Sequence, residues 1–590
     1  MKAVTNRMLA PACALTLPLC VLAMWPVVEL GICDEWSTVK TVQVLARTGH
    51  IVYNGWEAAI LGWQLYLGAA FVKLFGFSFT TVRLSILPVA MATALLSHRV
   101  FVRCGLSERN ATLGTLALAL SPLFLPLAVS FMTDVPGLFS LILCLYACLR
   151  ALEAETDKSA LAWICFAAAS NAMLGTVRQI AWLGVLIMVP STLWLLRRRL
   201  RSLTIGATVY LASISIIYVA LRWFHSQPYS VPEPLIQGAL TPKAIFRGGW
   251  VLLASIPELA FLLLPVLLFF VPAVPFRNRR AVALLALCSV LVTVYLLLAA
   301  HRDEPWLVPY LPSYIRVNGM MPEDIPHGVL PVFLSLGVRL AVTGLAALAG
   351  ISFVTVVLLR TNGPHSSDSE SVRHVSWRDL AVLLLPLTLA YYLLLLPRAF
   401  FSTMDNPKIY DRYILPLLFI ALIAVLRCYQ EKVRPRLPAA ALLPISLYAI
   451  CAVAGAHDTF AQRRAFATAI QELRAAGIPR VAIDGGWEFN GWNQIELNRF
   501  VNDPKIPTLP GDRFRPPVIT KFGKCRPPFL NEFSAVWPRY SLATGPTDCL
   551  GDAGFQPVQY RTWLAPRLNT LYIVKIGLPR YVDRQIASGR

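Results

Sequence analysis

Carboxylates and cations stand at a few points of the chain where apolar runs begin or end. Asp34 and Glu35 follow the first such run, and Asp134 sits in Phe131-Met132-Thr133-Asp134-Val135-Pro136. Arg178 lies in Thr176-Val177-Arg178-Gln179, and Arg398, Asp405, Lys408, Asp411 and Arg412 crowd one short stretch. Two or three carboxylates suit a general base and its orienting partners, because a carboxylate beside a hydroxyl or amine takes its proton as that group attacks carbon. Arg and Lys suit a phosphate leaving group, through charge-assisted hydrogen bonds and neutralisation of the charge that develops. Whether these groups meet depends on the elements that carry them.

The chain has 590 residues, with 53 Lys+Arg against 32 Asp+Glu for a net charge of +21, and it is 56% hydrophobic and only 14% charged. Mean hydropathy is +0.60. A soluble domain carries nearly twice that share of charge, and a chain this apolar does not stay disordered. The positive charge falls in short clusters between long apolar runs, the layout of membrane loops and not of a nucleic-acid surface. Runs long enough to span a bilayer occupy 8–30, 82–101, 110–130, 136–152, 159–176, 180–196, 203–223, 249–274, 281–300, 329–359, 379–396, 411–427 and 437–456. The first lacks a clear small-residue cleavage site and reads as an uncleaved anchor, not a signal peptide. The stretch 57–75 is apolar but interrupted by Glu57, Gln64 and Lys73.

Basic clusters at Lys2/Arg7, 99–109, 197–201, 277–280, 360–378 and 427–436 must share the cytoplasmic side. That works only if 57–75 does not cross and instead lies on the outer surface as an amphipathic helix. The expected architecture is therefore an all-α polytopic bundle of about 13 transmembrane helices over residues 1–456, with amphipathic helices in a first outer loop at 31–80. The remaining 457–590 has no spanning run and reads as a small C-terminal α/β domain outside. Within it 459–476 has a helical pattern closed by Gly477, and 481–483 and 570–574 read as strands. With this topology all the acids and cations named above fall on one membrane face. A phosphate at that face, attached to something greasy, is a lipid phosphate or pyrophosphate, and the chemistry points to glycosyl transfer from a lipid-linked sugar.

At these residues the chain resembles the integral-membrane glycosyltransferases of GT-C fold, in particular bacterial relatives of protein O-mannosyltransferases and of lipid A aminoarabinose transferases. The resemblance is carried by Asp34-Glu35 after span one, by Lys73-Leu74-Phe75-Gly76 with Val82-Arg83-Leu84, by Ser121-Pro122 with Asp134-Val135-Pro136, and by Arg412-Tyr413-Ile414-Leu415-Pro416. It covers the membrane half of the chain. It implies an inverting transferase of the bacterial inner membrane, N-terminus cytoplasmic and C-terminal domain periplasmic. The donor would be a polyprenyl-phosphate-linked sugar and the acceptor a lipid, glycan or protein. Asp34 maps to the catalytic base, Glu35 and Asp134 to groups that orient the acceptor or hold sugar hydroxyls, and Arg178, Arg398, Lys408 and Arg412 to the lipid phosphate. Many relatives carry Pro-Pro-Leu where this chain has Asn54-Gly55-Trp56-Glu57, and a lysine that often precedes their amphipathic helix is missing.

Plainer roles stand beside these. Asp34 and Asp134 are both well placed to cap helices, Arg178 could snorkel, and Arg398 and Lys408 could anchor helix ends at headgroups. His301-Arg302-Asp303-Glu304 is not a closed metal-ligand set; no metal site or cofactor is assigned, and a divalent cation assisting the phosphate stays open. The Pro- and Tyr-rich loop 301–327, with Trp306, could close over the site. Cys525 and Cys549 could form a bridge in an oxidising compartment. A transporter or flippase of lipid-linked saccharides, or a polymerase or ligase of surface polysaccharide, are the competing functions.

Overall fold

The computed structural model describes residues 2–198, 200–232, 241–301, 307–321, 325–360, 375–400, 409–501, 529, 532–533, 535–545 and 550–576. Among these, ten helices are long and apolar enough to cross a membrane: Phe79–Arg103, Asp134–Glu153, Asp157–Val177, Thr204–Ser226, Pro242–Leu262, Arg279–His301, Leu336–Leu359, Trp377–Phe400, Asp411–Lys432 and Ala439–Ala475. Asp134–Glu153 and Asp411–Lys432 are the most enclosed, with 72% and 67% of their apolar stretch buried, whereas Arg279–His301 is 6% buried and lines the outside of the bundle. The protein is a multi-pass membrane protein built on a helical bundle.

The other spans expected from the sequence are helical but short or broken, each for a local reason. The first is the helix Lys2–Met24. The run 110–130 is divided into Glu108–Ala119 and Phe124–Leu127 around Ser121-Pro122, where the Ser121 hydroxyl accepts from the Phe124 N–H at 3.0 Å. The run 180–196 passes through the 3₁₀ turn Gln179–Trp182 and the widened turn Gly184–Met188 before the helix Val189–Leu195. Asn171 wedges these turns open: its amide donates to Ser140 Oγ at 2.9 Å and its oxygen accepts from the Val185 N–H at 2.7 Å. The run 249–274 appears as Pro242–Leu262 followed by the shorter helix Leu264–Ala273, whose Pro265 and Pro272 lack the N–H a regular ladder needs.

One end of the bundle gathers the basic loops. Arg103 pairs with Glu153, the Gln430 side-chain oxygen Oε1 accepts from Ser107 N–H and Asn110 Nδ2 at 2.8 Å each, and Lys432 reaches the Val357 and Arg360 carbonyls. At the other end two short helices lie outside the spans. Glu35–Thr48 follows the first helix, and Gly62–Phe75 buries Gln64, Leu65, Gly68 and Ala69 while Tyr66, Leu74 and Phe75 stay exposed. That two-faced burial is the pattern of an interfacial helix.

The C-terminal segment joins at this same end. The last helix, Leu442–Ala475, runs unbroken through residue 456 into that segment. A left-handed Gly477 (φ +79°) then turns the chain. Beyond it β3 (Ile483–Asp484), β4 (Tyr540–Ala543), β5 (Leu550–Asp552), β6 (Val558–Thr562) and β7 (Arg567–Ile576) form a sheet ordered β3-β4-β7-β5, with β6 on β7. β3 runs parallel to β4 (Ile483 opposite Tyr540) and the other pairs are antiparallel. The helix Trp487–Asn498 packs on Glu35–Thr48. A small hairpin in the membrane half, β1 (Ile315–Arg316) with β2 (Gly319–Met320), precedes His327, which bonds into β4 through Leu542 and Thr544. Cys525 and Cys549 lie outside the described residues, as do Arg302, Asp303, Glu304 and Trp306.

Candidate active site

The first outer loop is held by one buried ion pair. Arg83 and Glu35 are both fully buried, with Arg83 Nε 2.6 Å from Glu35 Oε1. The remaining capacity of that carboxylate goes to backbone donors, Ile32 N–H at 3.0 Å and Phe131 N–H at 2.9 Å. Arg83 also donates to the carbonyls of Val28 and Leu30. Sequence reading groups Glu35 with Asp34 as a site carboxylate; in the structure Glu35 faces inward, ties three strands of chain together and offers no open oxygen. Beneath it a second network fixes the helix Glu35–Thr48: Glu57 accepts from the Thr41 hydroxyl at 2.6 Å and from Asn54 Nδ2 at 2.9 Å, and Ser37 donates to Asn54 Oδ1 at 2.9 Å. Burial pushes the Glu57 carboxyl above its usual range, against the pull of those hydrogen bonds.

Asp34 points the other way. Cys33 before it adopts φ +52°, a conformation costly for a side chain with a Cβ. Asp34 stands at the N-cap position of Glu35–Thr48, yet its side chain makes no cap hydrogen bond. Asp134 likewise does not cap; it is the first residue of Asp134–Glu153, Thr133 is the N-cap, and the Asp134 carboxylate is ion-paired to Arg178 Nη1. Neither acid is used up by helix capping.

The cations converge beside these acids. Arg178 is extended (φ −156°, ψ 128°) between two 3₁₀ turns, a bend made possible where Gly175 lies flat against the Trp182 indole. Its guanidinium stands 4.7 Å from the centroid of the Tyr413 ring, that of Arg398 5.5 Å and that of Arg412 5.8 Å. Arg398 Nη1 also donates to the Tyr413 hydroxyl at 2.9 Å. Arg412 covers Tyr410 at 5.2 Å, and both Asp134 and Asp34 lie within electrostatic reach of it. Three arginines from three elements thus surround one tyrosine, beside two carboxylates of separate loops. Asp411 is buried and acts as a clamp, accepting from the N–H groups of Tyr314 (3.1 Å), Ile315 (2.7 Å) and Arg412 (2.6 Å). It thereby holds Tyr314, whose phenol burial pushes well above its usual range, close to Arg412.

Of the sequence-derived residues, Asp34, Asp134, Arg178, Arg398 and Arg412 meet at this end of the bundle, and Glu35 supports the loop from below. Lys408 and Asp405 lie outside the described residues. Tyr413, Tyr410, Tyr314, Arg83 and Trp487 were given no role from sequence, although Arg83 and Tyr413 fall inside motifs singled out there. Arg83 carries its own signal, a charge at the start of an apolar span, where an unpaired charge is expensive. Among the described residues no group of three or more His, Cys, Asp or Glu is arranged to hold a metal ion.

No protein-family model and no curated protein sequence matches the chain. Among solved structures it is similar to ArnT from Cupriavidus metallidurans bound to undecaprenyl phosphate, at 14% identity over 96% of this chain and 97% of that one, with a TM-score of 0.40. It is also similar to the Archaeoglobus fulgidus oligosaccharyltransferase, at 13% identity over 80% of this chain and 58% of that one, with a TM-score of 0.41. A third is an S. cerevisiae protein O-mannosyltransferase complex bound to its sugar donor, at 14% identity and TM-score 0.32; there the match covers 41% of this chain and spans 36% of the length of that one.

Proposed function

We propose that the protein is an inverting glycosyltransferase that moves a sugar from a polyprenyl-phosphate donor to a lipid, glycan or protein acceptor on the periplasmic face of a bacterial inner membrane. The observation that carries this reading is the convergence of Asp34, Asp134 and the Arg178–Arg398–Arg412 cluster around Tyr413, at the end of the bundle away from the basic loops. The gathering of basic loops at the other end supports an outward-facing site.

In this reading Asp34 takes the proton from the acceptor hydroxyl or amine as that group forms a bond to the sugar C1. The bond from C1 to the phosphate oxygen breaks on the opposite face, which inverts the anomeric centre. The electron pair leaves with the lipid phosphate, whose growing charge Arg412, Arg178 and Arg398 neutralise. Lys408 belongs to the same basic stretch and would join that set. Asp134 holds Arg178 in place and can accept a sugar hydroxyl with its second oxygen, while Glu35 acts through the loop it anchors.

Purified protein in detergent, with no gradient, is expected to release sugar from a polyprenyl-phosphate donor when acceptor lipids are present. A transporter gives no such release, and its absence across donor sugars would remove the proposal. Within the same assay Arg412→Ala is expected to raise KM for the lipid donor about 10- to 100-fold, the loss of one charge-assisted contact in a half-buried site. An unchanged KM would take Arg412 away from the phosphate.

A further inference from the structure

We propose that Trp487, contributed by the C-terminal segment, is a positioning residue for Asp34. The proposal rests on the glycosyl-transfer reading above. Trp487 Nε1–H donates to Asp34 Oδ1 at 3.4 Å, and no helix-cap bond competes for that carboxylate. An indole N–H is a donor only, so the contact fixes the direction in which that carboxylate oxygen is held. It engages one oxygen and leaves the other to take the acceptor proton.

The indole is fixed by its surroundings. Its centroid lies 4.9 Å from that of Phe533, 5.2 Å from Trp56, 5.4 Å from Phe529 and 6.4 Å from Trp36. The helix that carries it touches the first loop almost backbone to backbone: a Cβ on Gly491 would stand 2.8 Å from Trp36, and one on Gly31 would stand 3.1 Å from the Glu488 Cβ. The start of that helix is pinned, since Asp484 Oδ1 accepts from Asn490 Nδ2 at 2.8 Å and from the Gly486 N–H at 3.2 Å. Glu488 forms a buried ion pair with Arg463 of the last spanning helix at 3.2 Å. At the far end Lys40 meets Glu496 at 3.2 Å and the Val501 N–H donates to the Asn54 carbonyl at 2.6 Å. Contacts at both ends and in the middle hold one tail helix against the loop that presents Asp34. The candidate base is therefore oriented by a residue 453 positions away in sequence.

The test is Trp487→Phe in the full-length protein, which keeps an aromatic ring and deletes the N–H. The expected result is a fall of about tenfold in kcat with unchanged KM for the lipid donor. Trp492→Phe serves as control, because Trp492 packs the same helix against Phe77 and Lys40 without reaching Asp34; it should leave kcat as in wild type. A wild-type kcat in Trp487→Phe would overturn the proposal, as would an equal fall in both variants. A second measurement needs no turnover and so separates this proposal from the functional reading. In ¹⁵N-indole spectra, the resonance missing from Trp487→Phe should sit at a different shift in Asp34→Asn than in the wild-type protein. A Trp487 resonance indifferent to Asp34 would overturn the proposal even if the enzyme proved to be a transferase.

Discussion

Asp34→Asn is expected to reduce sugar transfer to background, a loss of about 10³-fold or more, with melting temperature and co-purified lipid unchanged. The reason is geometric. Asp34 is half-buried and its side chain makes no cap hydrogen bond; it accepts the 3.4 Å contact from Trp487, which the Asn oxygen can still accept. The substitution therefore removes a proton acceptor and very little packing. A transfer assay run beside thermal melts in detergent reads both quantities. Normal turnover by the variant would strip Asp34 of its role, and the base would have to be sought at Asp134.

Glu35→Ala is expected to act in the opposite register. It leaves the Arg83 guanidinium buried without its carboxylate and frees the N–H groups of Ile32 and Phe131. Removing one partner of a buried ion pair costs about 3–5 kcal/mol, enough to lower the melting temperature markedly and to loosen the first loop. Activity should fall with stability, not ahead of it. Replacing both partners, Glu35→Gln with Arg83→Met, should recover part of the stability because no lone charge is left behind. If Glu35→Gln instead kept the wild-type melting temperature and lost only turnover, Glu35 would belong to the chemistry alongside Asp34. The contrast between neighbouring residues makes the pair of experiments decisive.

That contrast also marks the reach of sequence. Apolar run length locates the spans, and charge bias between runs sorts the loops into two sets; both are local properties, and they bring Asp34, Asp134, Arg178, Arg398 and Arg412 to one end without coordinates. Which of two adjacent acids is locked into a buried ion pair depends on a partner 48 residues later, and no periodicity reports it. The breaks in the helices at Ser121-Pro122 and around Asn171 have the same character. Proline and serine hint at the first, but the second follows from one amide finding Ser140, Ala181 and Val185 at once. Tyr413 was visible as part of a motif, yet its place at the centre of three guanidinium groups arises only when three separate elements pack. Trp487 carried no local mark at all, because its meaning lies in a contact between the two ends of the chain.

That contact has a consequence for how the protein matures. Gly31 and Trp36 pack against Glu488 and Gly491, which lie beyond the last spanning helix. The first loop therefore completes its packing only once the helix Trp487–Asn498 has docked on it. A chain cut short before that helix would carry its acidic and basic groups in the membrane with the first loop unfinished.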